Sequence, residues 1–236
     1  MKVLKLGAVF AALLSVAACA TQPEIPYDRS ASQSNKTIGL LTPGWSSGPS
    51  SVLASDVGRS FGLIGALVDA SMQASRESEL KQILVSKNID VNAMFISRLK
   101  SNLEGKGFKI VAIEADAKRT ALLKKYPAAA DGVDSYLDVV VPNYGYLAAG
   151  IAKDAPYRPW FVSQVKLVRA TDSGVLMQDV VTYNTIGEAK NVVTLSPDPQ
   201  YAFAGWSDIK AAPDRVAAGI NDAADKSADA IANLLR

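Results

Sequence analysis

A short run of glycine and serine matches a hydrolase pattern. The segment Gly44-Trp-Ser-Ser-Gly48 fits the G-x-S-x-G turn that exposes a nucleophilic serine after a strand. That mechanism needs a histidine base, and the 236-residue chain contains no histidine. The lack of histidine also removes the H-E-x-x-H metal pattern and most cysteine–histidine zinc sites. We interpret the segment as a Gly/Ser loop and predict neither a metal site nor a cofactor.

Two other arrangements of side chains have the residue types for catalysis. Asp131, Asp134 and Asp138 carry carboxylates close together in sequence, which suits acid–base chemistry. More often such carboxylates solvate a loop or the face of a strand. The S-x-x-K spacing occurs without S-D-N or K-T-G partners at four places, which indicates coincidence: Ser78/Lys81, Ser97/Lys100, Ser163/Lys166 and Ser207/Lys210. We predict that the chain is not an enzyme.

The amino terminus carries the most informative pattern. Lys2 and Lys5 flank the start of an apolar run, residues 6–16, which has the length of a signal-peptide core and is too short to span a bilayer. Val16-Ala-Ala-Cys19 follows and resembles the lipobox of bacterial lipoproteins. The resemblance implies that residues 1–18 are removed and that Cys19 is lipidated. Because Ala20 rather than aspartate comes next, the Gram-negative sorting pattern implies the outer membrane, with the protein facing the periplasm.

Ordinary secretion is the alternative, because Ala18-Cys19-Ala20 is itself an A-x-A cleavage pattern. Cys19 is the only cysteine, so it cannot form a disulfide within the chain, whereas lipidation gives it a use. Two or three acyl chains would hold the protein at a membrane stably. Residues 19–36 are polar and contain two prolines, which predicts a lipidated flexible tether. Residues 37–236 are predicted to form a single α/β periplasmic domain.

Charge argues against some classes of partner. The precursor has 25 Lys and Arg residues against 23 Asp and Glu residues. Lys2 and Lys5 leave with the signal peptide, so the mature chain is formally neutral. A neutral chain has no excess of cations for counterion release from nucleic acid or for a polybasic membrane patch. We predict that membrane attachment is through the lipid alone and that the chain does not bind nucleic acid.

Apolar periodicity predicts the elements that position these residues. The predicted strands are 37–42, 108–113, 136–146, 160–170 and 175–185, and the predicted helices are 59–84, one capped by Asp90, 116–125 and one beginning at Pro213. Pro142 predicts an edge or a bulge, and Gly174 is predicted to adopt the left-handed conformation in a hairpin turn. The fold class is α/β (α+β): a mixed sheet of about five strands with helices packed against it, in the order β-α-α-β-α-β-β-β-α. The first two strands are predicted to be parallel, and the last three suit antiparallel pairing.

Two segments resemble an envelope superfamily. The predicted hairpin Val165-Lys-Leu-Val-Arg-Ala-Thr-Asp-Ser-Gly-Val-Leu176 and the strand Asp134-Ser-Tyr-Leu-Asp-Val-Val-Val141 look like those of the curli secretion-channel lipoprotein and the TolB amino-terminal domain. The resemblance covers residues 37–186 and implies the fold, but it carries no catalytic residue. It also makes a homo-oligomer possible.

An aromatic stretch follows the second of these strands. Tyr146, Tyr157 and Trp160 flank a predicted connection, residues 147–159, that is longer than a hairpin requires. The rings are candidates for binding a partner, and covering the sheet core is the equal alternative. We predict a lipid-anchored cell-envelope protein that is not an enzyme and presents a periplasmic domain for protein binding or assembly. The alternative function is a subunit of an oligomeric curli-type export channel or of a secretion accessory complex.

Overall fold

The fold is a mixed sheet with helices packed against it. The computed structural model describes residues 23–27, 30, 34–54, 70–149, 155–185 and 191–235. The strands are β1 (Thr37–Leu41), β2 (Gly44–Trp45), β3 (Ser50–Ala54), β4 (Lys109–Ile113), β5 (Ser135–Ala149), β6 (Tyr157–Arg169), β7 (Val175–Tyr183) and β8 (Val193–Leu195). The helices are α1 (Ala70–Ser86), α2 (Val91–Gly105), α3 (Trp206–Ala211) and α4 (Pro213–Asn233). A short 3-10 helix, Pro199–Tyr201, precedes α3.

The strand order is β4-β1-β5-β6-β7-β8, with β2 and β3 also paired to β5. β1 pairs in parallel with β4, and β5, β6 and β7 are antiparallel, as the sequence predicted. The predicted α/β class is therefore confirmed. The sheet has eight strands rather than about five, because β1, β2 and β3 lie one after another along one edge of the 15-residue β5.

The two longest helices begin and pack as their sequences predict. Asp90 caps α2 by accepting a hydrogen bond from the backbone N–H of Ala93 at 2.9 Å. The buried residues of α2 recur every four positions, and α4 buries a wide face rich in alanine, which lets it pack closely. In α1, the predicted residues before Ala70 lie outside the described part of the chain.

A break in strand register confirms the bulge predicted at Pro142. The pairing of β5 with β6 shifts between Val140 and Asn143. Proline has no backbone N–H to donate, so the ladder must be interrupted there. The hairpin turn between β6 and β7 forms at the predicted position, but Ser173 rather than Gly174 has the positive φ, 58°. The prediction for Gly174 was therefore wrong.

The helix predicted at residues 116–125 is also wrong, because this segment is an irregular loop. Asp116 bonds locally to the backbone N–H of Lys118, and the backbone N–H of Leu123 donates to the carboxylate of Asp138 at 2.7 Å. An isolated helix of ten residues is marginal in water. Contacts to the sheet therefore replace the helical hydrogen bonds in this loop.

Apolar residues are buried on both faces of the sheet. The main core lies between the sheet and helices α1, α2 and α4. The opposite face carries two smaller clusters: one around Leu41, Tyr136 and Val168, and another formed by Val52, Leu147 and Trp160. Within the described residues, no helix combines the length and the apolar character that crossing a bilayer requires.

Candidate functional site

The structure buries all three aromatic residues predicted to bind a partner. Tyr146 is 0% exposed, Tyr157 6% and Trp160 5%. Tyr146 donates its hydroxyl to the carbonyl of Val216 at 3.3 Å. The core alternative is therefore correct for these side chains, and they do not form an exposed surface on the isolated chain.

Strand pairing explains why these rings are buried. Residues 147–159 were predicted to be a long connection, but β5 extends to Ala149 and β6 starts at Tyr157. Alternation along β6 then places Tyr157 on the helix-covered face and Trp160 on the opposite face. The ring of Tyr157 packs edge-on against Trp206, with a centroid distance of 5.4 Å. Cys19, the predicted lipidation site, lies outside the described residues.

Two of the candidate catalytic carboxylates have structural partners. Asp134 accepts hydrogen bonds from the backbone N–H groups of Lys36 and Thr37 at 2.8 and 2.7 Å, which fixes the start of β1. Asp138 is fully buried, and its Oδ1 lies 2.8 Å from Nη1 of Arg119, itself only 8% exposed. These contacts occupy both carboxylates in holding the loop and strands together.

The Asp138 carboxylate organises the loop at residues 116–126. Its Oδ2 accepts the hydroxyl of Tyr126 at 3.2 Å in addition to the backbone N–H of Leu123. Burial and this carboxylate raise the pKa of Tyr126, so the phenol stays protonated and donates. Arg119 also donates to the carbonyl of Thr42 at 2.8 Å, and this ties the loop to the end of β1.

The Gly/Ser segment that resembles a hydrolase turn forms β2 and the loop after it. The backbone N–H of Trp45 donates to the carbonyl of Ala117 at 2.9 Å, and that of Ser46 donates to the carbonyl of Val141 at 3.0 Å. The hydroxyl of Ser46 donates to the carbonyl of Gly48 at 3.0 Å. Lys81, across from this loop, is exposed to solvent, whereas a lysine that activates a serine is desolvated.

This loop forms one wall of a cleft of about 410 Å³, which we call the Trp45 groove. The groove is lined by residues 45–49, by a set of residues between Lys81 and Asn92 at the junction of α1 with α2, and by Tyr144. A volume of this size falls within the range of ligand-binding clefts. The groove is therefore the candidate functional site.

Aromatic rings form the base of the Trp45 groove. The indole of Trp45 packs edge-on against Phe95, Tyr144 and Phe161, with centroid distances of 5.6, 5.7 and 6.0 Å. Edge-to-face pairs of this kind add stability beyond their buried area. The rings come from β2, α2, β5 and β6, so the base of the groove is tied to the main core and is rigid.

The end of α1 forms the apolar wall. Asn88 has φ 52°, and the backbone N–H groups of Ile89 and Asn88 donate to the carbonyls of Leu84 and Val85 at 2.9 and 3.0 Å. This is a Schellman motif, which ends the helix and brings Ile89 back towards Leu84. The motif leaves the side chain of Val85 68% exposed at the rim of the groove.

Polar groups in the groove are suited to a ligand that accepts hydrogen bonds. Burial, with a smaller contribution from the carboxylate of Asp90, raises the pKa of Tyr144, so its phenol remains a donor. The exposed ammonium of Lys81 adds a positive charge.

Sequence reasoning identified one wall of this groove but not the groove itself. The Gly/Ser loop was correctly read as a loop, yet its partner residues are about 35 to 100 positions further along the chain. The apolar residues Leu84, Val85 and Ile89, close before the Asp90 cap, were the available signal, because apolar residues beside a helix end are candidate contact residues. Across the described residues, no cluster of acidic side chains with the spacing of a metal site was found.

No protein-family model matches the chain, and no curated protein matches it. Solved structures similar to this chain include the PelC dodecamer from Paraburkholderia phytofirmans, at 11% identity over 90% of this chain and 94% of that one, with a TM-score of 0.39. Protein XCC0632 from Xanthomonas campestris matches at 10% identity over 89% and 83%, with a TM-score of 0.40. Lipoprotein GNA1162 from Neisseria meningitidis matches at 15% identity over 66% and 84%, with a TM-score of 0.23. At these values the likenesses give no ground for assigning a function, and the resemblance to the curli and TolB proteins stays a prediction.

Proposed function

We propose that the chain is a lipid-anchored cell-envelope protein whose α/β domain binds another protein through the Trp45 groove, without catalysis. The segment that resembles a lipobox and ends at Cys19 supports the anchor, and Ala20 after it supports the outer-membrane location. The side chains that resemble catalytic groups support a binding role, because Ser46, Asp134 and Asp138 all bond to the protein's own backbone or side chains. Groups held in this way contribute to the shape of the domain.

The exposed Val85 beside an apolar wall is the observation that carries the binding proposal. Valine at 68% exposure contributes nothing to the core, and its neighbours Leu84 and Ile89 continue the apolar surface into the groove. A peptide segment with an apolar side chain would cover this wall, and its backbone carbonyls would suit the donors of Tyr144 and Lys81.

Val85→Glu is expected to reduce partner capture by about tenfold or more, because the apolar contact of a valine is lost and a charge takes its place. The measurement is photo-crosslinking in intact envelopes, with a photoreactive residue at the exposed Ser47 on the opposite wall. Val175→Glu is the matched control, since Val175 is a 42% exposed valine on the β6–β7 hairpin. The melting temperature of both variants is expected to stay unchanged. Equal capture by Val85→Glu and the parent protein would place the binding surface elsewhere.

Self-association is a second candidate, and the position of β4 favours it. β4 ends the sheet in the described part of the chain. Lys109 and Ile113 bond to the β1 side, so by strand alternation the N–H groups of Ile110 and Ala112 face away from it. An open strand edge is a template for pairing with a second chain.

Ala112→Pro tests this candidate, because proline removes one outward N–H without removing a β1–β4 hydrogen bond. If copies pair through β4, light scattering coupled to size exclusion should show oligomers for the parent protein and a shift to monomer for the variant. Ala112→Ser, which keeps the N–H, should behave as the parent does. A monomeric parent protein would contradict self-association.

A further inference from the structure

Residues near the proposed anchor pair with an edge of the sheet. The backbone N–H of Ile25 donates to the carbonyl of Gln178 in β7 at 2.8 Å, and the N–H of Gln178 donates back to the carbonyl of Ile25 at 2.9 Å. These two hydrogen bonds form an antiparallel bridge. β8 occupies the same edge further along β7, where it pairs with residues 181–183. The segment 23–27 therefore pairs with the part of the β7 edge that β8 does not cover.

Side chains lock this segment in place. The amide Nε2 of Gln178 donates to the carbonyl of Pro23 at 2.9 Å. The ring of Tyr27 is 9% exposed and belongs to the main core. Its hydroxyl accepts a hydrogen bond from the amide of Asn35 at 3.2 Å, and Asn35 in turn accepts one from the hydroxyl of Ser135 at 2.7 Å. Residues 23–27 were predicted to be flexible tether, but the structure docks them on the domain.

We infer that the membrane surface is the partner of the sheet edge formed by β7 and β8, and that the docked segment 23–27 holds the domain in this orientation. The inference rests on the proposed lipid anchor at Cys19. Pro23 lies four positions after Cys19, and four residues of fully extended chain span about 14 Å at most. A tether of that length holds this edge beside the bilayer, whereas a free segment of 17 or 18 residues would let the domain turn in any direction.

This orientation predicts that the two edges of the sheet lie at different heights above the membrane. β8 and β4 are five strand positions apart in the order β4-β1-β5-β6-β7-β8. At about 4.8 Å per position, they are separated by about 24 Å. Thr194 in β8 and Ala112 in β4 are both exposed, so a label at either position leaves the core intact. With the β7–β8 edge towards the membrane, Thr194 lies near the headgroups and Ala112 lies away from them.

Energy transfer from each position to the bilayer tests the inference. Cys19 is the only cysteine and its thiol is occupied by lipid, so Thr194→Cys and Ala112→Cys each provide a single site for a donor dye. The lipidated full-length proteins are placed in zwitterionic phosphatidylcholine vesicles that contain an acceptor-labelled lipid. Neutral lipid suits this edge, because Glu24 and Asp179 lie close together on it. Transfer from Thr194 is expected to exceed transfer from Ala112 by an amount that corresponds to about 24 Å in height.

Ile25→Pro provides the control, because proline cannot donate the hydrogen bond to the Gln178 carbonyl. The difference in energy transfer between the two labels is expected to shrink in this variant, while the protein stays on the vesicles. Gln178→Ala, which removes only the side-chain bond to Pro23, is a second and milder variant with the same expected direction. Equal transfer from both labels in vesicle-bound parent protein would overturn the orientation alone. Parent protein that does not bind vesicles would overturn the lipid anchor and this inference with it.

Discussion

Asp138→Ala is expected to destabilise the domain by about 3–5 kcal/mol, because it leaves the Arg119 guanidinium buried without its counter-ion. Asp138 is 0% exposed and Arg119 is 8% exposed, so water cannot take over the lost interaction. The substitution also removes the acceptor for Tyr126 and for the backbone N–H of Leu123, which releases the loop at residues 116–126. Each buried donor that is left without an acceptor lowers the stability of the domain further.

Urea unfolding, monitored by circular dichroism, is expected to show a lower unfolding midpoint for Asp138→Ala than for the parent protein. Asp131→Ala is the matched control, since Asp131 is an exposed carboxylate in the loop just before β5, and its effect should stay within about 0.5 kcal/mol. The double variant Asp138→Leu with Arg119→Met should recover part of the loss, because it removes both buried charges. Equal midpoints for Asp138→Ala and Asp131→Ala would show that the buried pair does not hold the loop.

Local patterns were enough to predict much of the fold. The stripe Val91, Phe95, Leu99 and Leu103 repeats at helical spacing, and the Asp90 cap marks its start, so α2 could be placed within a residue. α4 was predicted equally well from Pro213 and its apolar face. Pro142 fixed the bulge in β5, because a proline cannot donate to the ladder whatever its neighbours are. In each case the deciding interactions lie within one element.

Features that depend on distant contacts could not be predicted in this way. β2 has two residues and β3 has polar residues at its start, and both exist only because the long strand β5 offers an edge for them. Residues 116–126 form a loop instead of the predicted helix, because a carboxylate in β5 accepts a hydrogen bond from the loop backbone. The Trp45 groove combines a loop, a helix junction and a strand that are separated in sequence. Pairing partners of this kind leave no periodic trace in a single sequence.

The aromatic residues show the same limit at the level of side chains. Tyr146, Tyr157 and Trp160 have the composition of a binding surface, and composition alone does not separate a surface from a core. Their burial follows from two observations: β5 and β6 extend into the predicted connection, and strand alternation directs successive residues to opposite faces. Trp45 lies at the junction between the core and the groove.

Cys19→Ser is expected to abolish lipid attachment, because a serine hydroxyl does not replace the thiol in the lipobox that Val16-Ala-Ala-Cys19 resembles. Each acyl chain contributes about 0.8 kcal/mol per buried methylene, so two or three chains hold a protein on a membrane where a bare chain is released. The mature chain has equal numbers of cationic and anionic side chains, so no polybasic patch would retain it. The variant should remain an unprocessed precursor or enter the soluble fraction.

Metabolic labelling with palmitate, followed by separation of membrane and soluble fractions, measures both consequences. Ala20→Ser is the matched control, since it changes the neighbouring residue and leaves the cysteine in place. The parent and Ala20→Ser should carry label in the membrane fraction, and Cys19→Ser should carry none. Label on Cys19→Ser would show that the lipid is attached elsewhere. Membrane retention of unlabelled, fully processed Cys19→Ser would instead assign attachment to the domain, and the β7–β8 edge beside residues 23–27 would then be the first surface to test.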